Sequence, residues 1–243
     1  MSRGVLVTGG GGGLGKAVAA RFAAAGDTVF ITGRDSARLD RTAAEIGARP
    51  IACDATDPGQ VARMAEAVGP ELDVLVNMAG GNTDFTRTGA ADPGLELEEV
   101  LSAWRANLDA NVISAVLTTT AVLGKLRAGG SIINVGSIGA EYATTSYGAA
   151  KAALAAWTAG LSAEAGPRGL TANLISPGYT EGTDFFHGRL TQQRRSALIA
   201  ATHDGRAGQP ADIAETAFFL ASPGARHITG QTLHVNGGAH TTR

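Results

Sequence analysis

The stretch Val5-Leu6-Val7-Thr8-Gly9-Gly10-Gly11-Gly12-Gly13-Leu14-Gly15 runs from a short apolar segment through five consecutive glycines into an alanine-rich one. Val5–Thr8 reads as a buried strand and Leu14–Ala25 as a helix, so the glycines form the turn between them. Backbone amides at a helix N-terminus attract anions, and residues without a Cβ let a pyrophosphate approach the chain closely. A glycine run alone can be a flexible turn. Placed after a strand and before a helix, this one is read as a nucleotide-binding loop.

Outward from that loop, short apolar runs alternate with amphipathic or Ala-rich segments. Further strands are expected at Thr28–Thr32, Pro50–Cys53, Val74–Asn77, Ser131–Val135, Thr171–Ile175 and Thr232–Val235. Helices are expected at Ser36–Ile46 with Gly47 as its stop, Pro58–Val68, Leu97–Leu123 with a break, Tyr147–Ala165 and Ala211–Ala221. This alternation predicts one α/β domain over residues 1–243: a single-domain Rossmann fold, a doubly wound parallel sheet of about seven strands with helices on both faces. Right-handed crossovers collect the strand C-termini along one edge, where ligands bind. Tyr179–Gly208 lacks strand character and is read as a substrate lid.

The second strand ends Ile31-Thr32-Gly33-Arg34-Asp35. An acid there would bind a ribose 2′-hydroxyl, whereas an Arg accommodates a 2′-phosphate. With Gly33 at the tip and Arg34 next, NADP(H) is favoured, and Asp35 is read with Ser36 as a helix start. NAD(H) stays open if Asp35 turns to the ribose.

The reactive groups lie between Ser137 and Lys151. Tyr147 and Lys151 are four apart and share a helix face. A phenol, with an ordinary pKa of about 10, is a poor acid–base group at neutral pH, and a close ammonium lowers that value. Ser137, at the end of the fifth strand, offers a hydroxyl to the same reacting oxygen. These are parts for moving a proton to or from a carbonyl or alcohol oxygen. The chain has three Lys and three Tyr, so chance alone gives this spacing with a probability of about 0.04. A Tyr packed on a Lys stem is the bland alternative.

A hydrophobic content of 44% and a net charge of −2 fit a globular protein with a sizeable core. No long basic or acidic run suggests a nucleic-acid or membrane-surface partner, and no uninterrupted apolar segment is expected to span a bilayer. The N-terminus shows no signal-peptide pattern, and the single Cys53 excludes an internal disulfide, so a cytoplasmic location is expected. Cys53 reads as a core thiol. The five His show no ligand spacing, so no metal is expected. Val135-Gly136-Ser137-Ile138-Gly139 lacks the first glycine of the G-x-S-x-G elbow, which argues against a serine hydrolase.

In order along nearly the whole chain, Thr8-Gly9-x-x-x-Gly13-x-Gly15, Asp54, Asn77-Met78-Ala79-Gly80, Asn111, Ser137, Tyr147-x-x-x-Lys151 and Pro177-Gly178 resemble the short-chain dehydrogenase/reductase family. The tail segments 205–214 and 229–238 look most like its 3-oxoacyl-carrier-protein-reductase group. The resemblance implies an NAD(P)-dependent oxidoreductase. In it Tyr147 is the general acid in reduction, Lys151 lowers the tyrosine's pKa and holds the nicotinamide ribose, and Ser137 orients the carbonyl. Asn111 would hold a water linking Lys151 to solvent. Of the two residues in Asn107-Leu-Asp-Ala-Asn111, the second fits the family pattern, and Asn107 reads as a surface or packing residue. The implied cofactor contacts are Thr8, Gly9, Gly13, Leu14, Gly15, Arg34, Asp54, Asn77, Ala79, Gly80, Tyr147, Lys151, Pro177, Gly178 and Thr180, with Thr183 an alternative to Thr180. A homotetramer or homodimer is the family expectation.

The sequence departs from the family at Met78, which stands where a second Asn is usual, and in a short segment from Ser137 to Tyr147. Substrate contacts are expected from 81–91, 138–145 and 179–208. Glu141, Tyr142, Phe185 and Phe186 are candidates for the pocket wall, with Asp84 and His187 as polar additions. Arg189, Arg194 and Arg195 read as a solvated helix face, or as contacts to a carrier phosphate. The implied reaction is NADPH-dependent reduction of a ketone, a 3-oxoacyl thioester or other small-molecule or carrier-bound carbonyl, to a secondary alcohol. The alternatives are an NAD(P)-dependent dehydrogenase of a sugar, steroid or other secondary alcohol, and a non-catalytic NADP-binding regulator.

Overall fold

The computed structural model describes residues 2–83 and 96–242. Its strands are β1 (Gly4–Thr8), β2 (Thr28–Gly33), β3 (Arg49–Ala52), β4 (Leu72–Asn77), β5 (Leu126–Val135), β6 (Thr171–Pro177) and β7 (Thr232–Val235). They form one parallel sheet in the order β3-β2-β1-β4-β5-β6-β7. The chain winds outward from β1 to β3, crosses back, and winds the other way from β4 to β7. The reversal between β1 and β4 opens the crevice in which such sheets bind ligands.

Period-two alternation sorts the strand side chains onto two faces. Val5, Val7 and Val76 join a core with Val18 and Phe22 of α1 (Gly13–Ala24) and Ile213 and Leu220 of α9 (Pro210–Leu220). Leu6, Leu75 and Ile132 face the other way, onto Met64 of α3 (Pro58–Ala67), Val122 of α5 (Ser114–Leu123) and Leu161 of α7 (Ser146–Ala165). Cys53 is buried in this second core, where burial pushes its thiol pKa up.

Local signals set the helix ends. Asp35 caps α2 (Ser36–Ile46) through its side chain, and Gly47 ends it with φ 72°. Asp57 caps α3 ahead of Pro58, and the Thr145 hydroxyl caps α7. Two short helices lie in segments without a sequence expectation of helix: α6 (Gly139–Tyr142) and α8 (Gln192–Ala200).

The expected break in 97–123 is a π-helical turn, Asp109–Ile113, between α4 (Leu97–Leu108) and α5. Together these 27 residues are long and apolar enough to cross a membrane by length and composition alone, although Glu98, Glu99, Arg105 and Asp109 interrupt the apolar run. Their buried residues are largely polar, however: Asn107, Asn111, Ser114, Thr118 and Thr119 face the protein. The helix packs here against α7, α3 and β4.

Candidate active site

At the switch point the Thr8 hydroxyl accepts hydrogen bonds from the backbone N–H groups of Met78 (3.0 Å) and Ala79 (2.9 Å). Thr8 thereby ties the tips of β1 and β4 together. The glycine loop follows. Gly9 and Gly13 have φ of 67° and 52°, and a Cβ on Gly15 would collide with the Gly9 carbonyl. Gly10 N donates to the Thr32 carbonyl (3.0 Å), fixing the loop against β2. The first-turn amides of α1, including Gly13, Leu14 and Gly15, have no intrahelical acceptors. The residues present therefore fit a dinucleotide: a side-chain-free cradle opens onto a helix N-terminus.

Beyond β2, the Asp35 carboxylate accepts from Arg38 N (2.9 Å) as a helix cap, which leaves the cations as the distinctive groups at this tip. Arg34 is exposed. The Asp54 carboxylate accepts from Thr56 N (3.0 Å) and Thr56 Oγ1 (2.7 Å). The backbone bond of Thr56 chiefly holds its pKa below the usual range, and Arg34 adds to the effect. A second cation escaped the sequence reading. Arg38 Nε donates to the Gly11 carbonyl (2.9 Å), and its guanidinium fills the space a Cβ on Gly12 would take. Its position four residues after Arg34 was the available signal.

Asn77 points its amide beneath the cleft. Its Nδ2 donates to Thr119 Oγ1 (2.9 Å) and Asn134 Oδ1 (2.8 Å) inside the fold. Gly80 has φ 141°, and a Cβ there would stand 2.5 Å from Asn111 Oδ1. On the far wall, Ile138 N donates to the Pro177 carbonyl (2.9 Å) and Gly178 N to the Val235 carbonyl (3.0 Å). Thr180 is buried, its hydroxyl donating to the Gly178 carbonyl (3.3 Å), and the Thr183 hydroxyl donates to the Thr180 carbonyl (3.2 Å).

Ser137, Tyr147 and Lys151 meet at the end of β5. Tyr147 is hydrogen-bonded to Ser137, whose Oγ also accepts from Gly139 N (3.1 Å). Lys151 Nζ donates to the Val135 carbonyl (2.8 Å) and lies 5.8 Å from the Tyr147 ring centroid. Tyr147 and Lys151 are only 7% and 5% exposed. The expected lowering of the tyrosine's pKa is therefore corrected. Burial pushes Tyr147 up to about 12, against the opposing bond from Ser137, and pushes Lys151 down to about 8. Desolvation disfavours both charged forms.

The two asparagines are both buried. Asn111 Nδ2 donates to the carbonyls of Gly81 and Asn107 (2.9 Å each), and its Oδ1 accepts from Gly81 N (3.1 Å). Both amide hydrogens are committed, so only a carbonyl lone pair remains for a water. Asn107 is no surface residue. It is fully buried, donates to Ser146 Oγ (2.7 Å) at the start of α7 and accepts from Thr83 N (3.2 Å).

Of the pocket candidates, Phe185 lies 5.7 Å from the Tyr147 ring, and Phe186 continues the cluster to Tyr179. Tyr142 is 61% exposed, and Glu141 instead faces His234 and His240, which corrects the reading of Glu141 as pocket wall and brings together two histidines that show no ligand spacing in the sequence. Arg195 pairs with Glu181 rather than standing as a solvated cation. Asp84 lies outside the described residues.

Comparison with known proteins places this geometry. A family model described as Enoyl-(Acyl carrier protein) reductase matches residues 9–240. A putative oxidoreductase of Mycobacterium tuberculosis is 38% identical over 236 residues, 97% of each chain. The 3-oxoacyl-acyl-carrier-protein reductase FabG of Vibrio cholerae is 34% identical, covering 97% of this chain and 96% of that one. A short-chain dehydrogenase from Burkholderia cenocepacia, crystallised with NADP, superposes with a TM-score of 0.84 at 35% identity, over 98% and 97% of the two chains. The Ser137–Tyr147–Lys151 cluster beside a glycine cradle, and a match that spans the whole sheet, lead to one conclusion: the chain belongs to the short-chain dehydrogenase/reductase family of NAD(P)-dependent oxidoreductases, close to its 3-oxoacyl-acyl-carrier-protein-reductase-like group.

Proposed function

We propose that the protein reduces a ketone to a secondary alcohol with NADPH, using Tyr147 as general acid. The observation that carries this is the hydrogen-bonded Ser137–Tyr147 pair with Lys151 behind it, at the sheet edge that also holds the glycine cradle. A nicotinamide cofactor held by the glycine cradle would supply the hydride. Ser137 and Tyr147 converge on one oxygen and orient the carbonyl. Burial keeps the phenol protonated until that oxygen gains negative charge and takes the proton. The Lys151 ammonium then stabilises the phenolate. Asn111 acts on the site by fixing the Gly80–Gly81 turn.

NADP(H) is favoured over NAD(H) because Arg34 and Arg38 flank the β2 tip, while Asp35 is engaged as a cap. Residues 179–208 form the lid of a single domain, with Phe185 and Phe186 as an apolar wall over Tyr147. That wall suits a carbonyl with an apolar neighbour, such as a 3-oxoacyl thioester or a polyketide-like ketone. Leu97, Leu101 and Trp104 are exposed along one face of α4 and support a homotetramer or homodimer. The buried, free Cys53 fits a cytoplasmic setting.

The test is NADPH and NADH oxidation against an acetoacetyl thioester, an aromatic ketone and a keto sugar. Turnover of the thioester or the aromatic ketone with NADPH is expected. Preference for the sugar with NADH favours the polyol-dehydrogenase reading. Cofactor binding without turnover of any ketone favours a non-catalytic binding protein.

A further inference from the structure

The fold gathers two histidines that the sequence keeps apart. His234 lies on β7, His240 in the tail, and Glu141 on α6. Each carboxylate oxygen faces one imidazole: Oε2 is 3.4 Å from His240 Nε2, and Oε1 is 3.9 Å from His234 Nε2. One ligand atom from each of the three residues lies within 4.8 Å of the others.

Direct N–H···O bonds are about 2.7–3.2 Å long, so these gaps are too wide for hydrogen bonds. They approach the spacing of donors that share an ion, since two ligands about 2.0–2.1 Å from a tetrahedral zinc stand roughly 3.3 Å apart. Nδ1 of His234 is buried without a partner, so the ring's polar outlet is Nε2, on the Glu141 side. The backbone holds the arrangement. Asn236 Oδ1 accepts from Gly238 N (3.0 Å), its Nδ2 donates to the His240 carbonyl (3.2 Å), and Gly237 and Gly238 take φ of 62° and 85°. The chain thus doubles back after β7 and returns His240 beside His234, their rings 4.9 Å apart.

We propose that Glu141, His234 and His240 bind a divalent transition metal ion, with zinc the preferred occupant. Two imidazoles and a carboxylate form a three-ligand zinc set that leaves one position for water. Glu141 lies two residues beyond Gly139, whose N–H bonds Ser137 Oγ, so the ion clasps the serine-bearing loop to β7 and the tail. The site does not depend on which carbonyl is reduced.

The experiment uses the full chain after chelator treatment, titrated with zinc sulfate by calorimetry and followed by thermal unfolding with and without zinc. One ion per chain and a higher Tm with zinc are expected. His240→Ala and Glu141→Gln are expected to weaken binding by more than the roughly 10–100-fold that outer-shell changes cost, and to abolish the Tm rise. Absence of saturable one-to-one binding, or binding unchanged in both variants, overturns the proposal. If the variants do not fold, zinc protection of the histidines from diethyl pyrocarbonate in the unaltered protein decides. Unprotected His234 and His240, read by peptide mass spectrometry, also overturn it.

Discussion

Arg38 sets its guanidinium 3.0 Å from the carboxylate of Asp184, joining helix α2 to the segment after β6 across the glycine loop. Both groups are exposed, 47% and 80%, so the pair contributes at most about 1 kcal/mol to stability. Asp184→Asn is expected to shift the Tm by no more than about 2–4 °C. Arg38→Ala and Arg34→Ala are each expected to raise the KM for NADPH more than that for NADH. Equal effects on the two cofactors, in steady-state assays, would undo the assignment of these cations to a 2′-phosphate.

Removing the Tyr147 hydroxyl leaves the aromatic packing with Phe185 but takes away the proton. Tyr147→Phe is expected to lower kcat by at least about 10²–10⁴-fold with little change in NADPH affinity. Fluorescence titration of the cofactor beside turnover assays separates the two, and full retained activity would remove Tyr147 from the mechanism.

Burial pushes Lys151 down to about 8 in the folded protein, from its ordinary 10.5. Between those values the unfolded chain binds the additional proton, so this residue makes stability rise with pH across that window. Tyr147 is raised from 10.0 to about 12, so its contribution is lost as pH rises through that higher range. Urea midpoints between pH 8 and 10 are expected to slope upward in the unaltered protein and to lack that slope in Lys151→Met. An identical slope would show that Lys151 is not the group responsible.

Gly80 and Asn111 are coupled sterically as well as by hydrogen bonds. The left-handed φ of Gly80 and the 2.5 Å approach of an added Cβ to Asn111 Oδ1 make Gly80→Ala costly, by about 1–3 kcal/mol. Asn111→Ala opens that space, so Gly80→Ala should cost less in its background. Strict additivity of the two substitutions in urea unfolding would break the link.

The elements whose cause is local were legible. Asp35 and Gly47 bound α2 as caps, and the glycine loop announces the β1–α1 junction. All seven strands lie where short apolar runs between glycines place them, within a few residues except at β5, which starts five residues earlier than expected. What was not legible depends on contacts between distant segments. Asn107 stays open between surface and packing in the sequence because its partner Ser146 is 39 positions away, and Arg38 meets Asp184 across 146. His234 and His240 lack ligand spacing, since their third partner, Glu141, arrives on a four-residue helix too short for a periodic signal. The tyrosine's direction of titration was misread for a related reason. Spacing places an ammonium near the phenol, but burial, which spacing does not report, outweighs it here.

The π turn at Asp109–Ile113 has a mechanical meaning. Each residue advances a helix by about 100°, so one residue of slack rotates everything before it relative to everything after it. Upstream of it, Leu97, Leu101 and Trp104 lie on the outside; within it, Asn111 reaches Gly81. The exposed stripe of α4 and the bond from Asn111 to Gly81 thus belong to one helix with one irregular turn. A surface that packs on the outer stripe of α4 therefore packs on the same helix whose π turn holds Asn111 against Gly81.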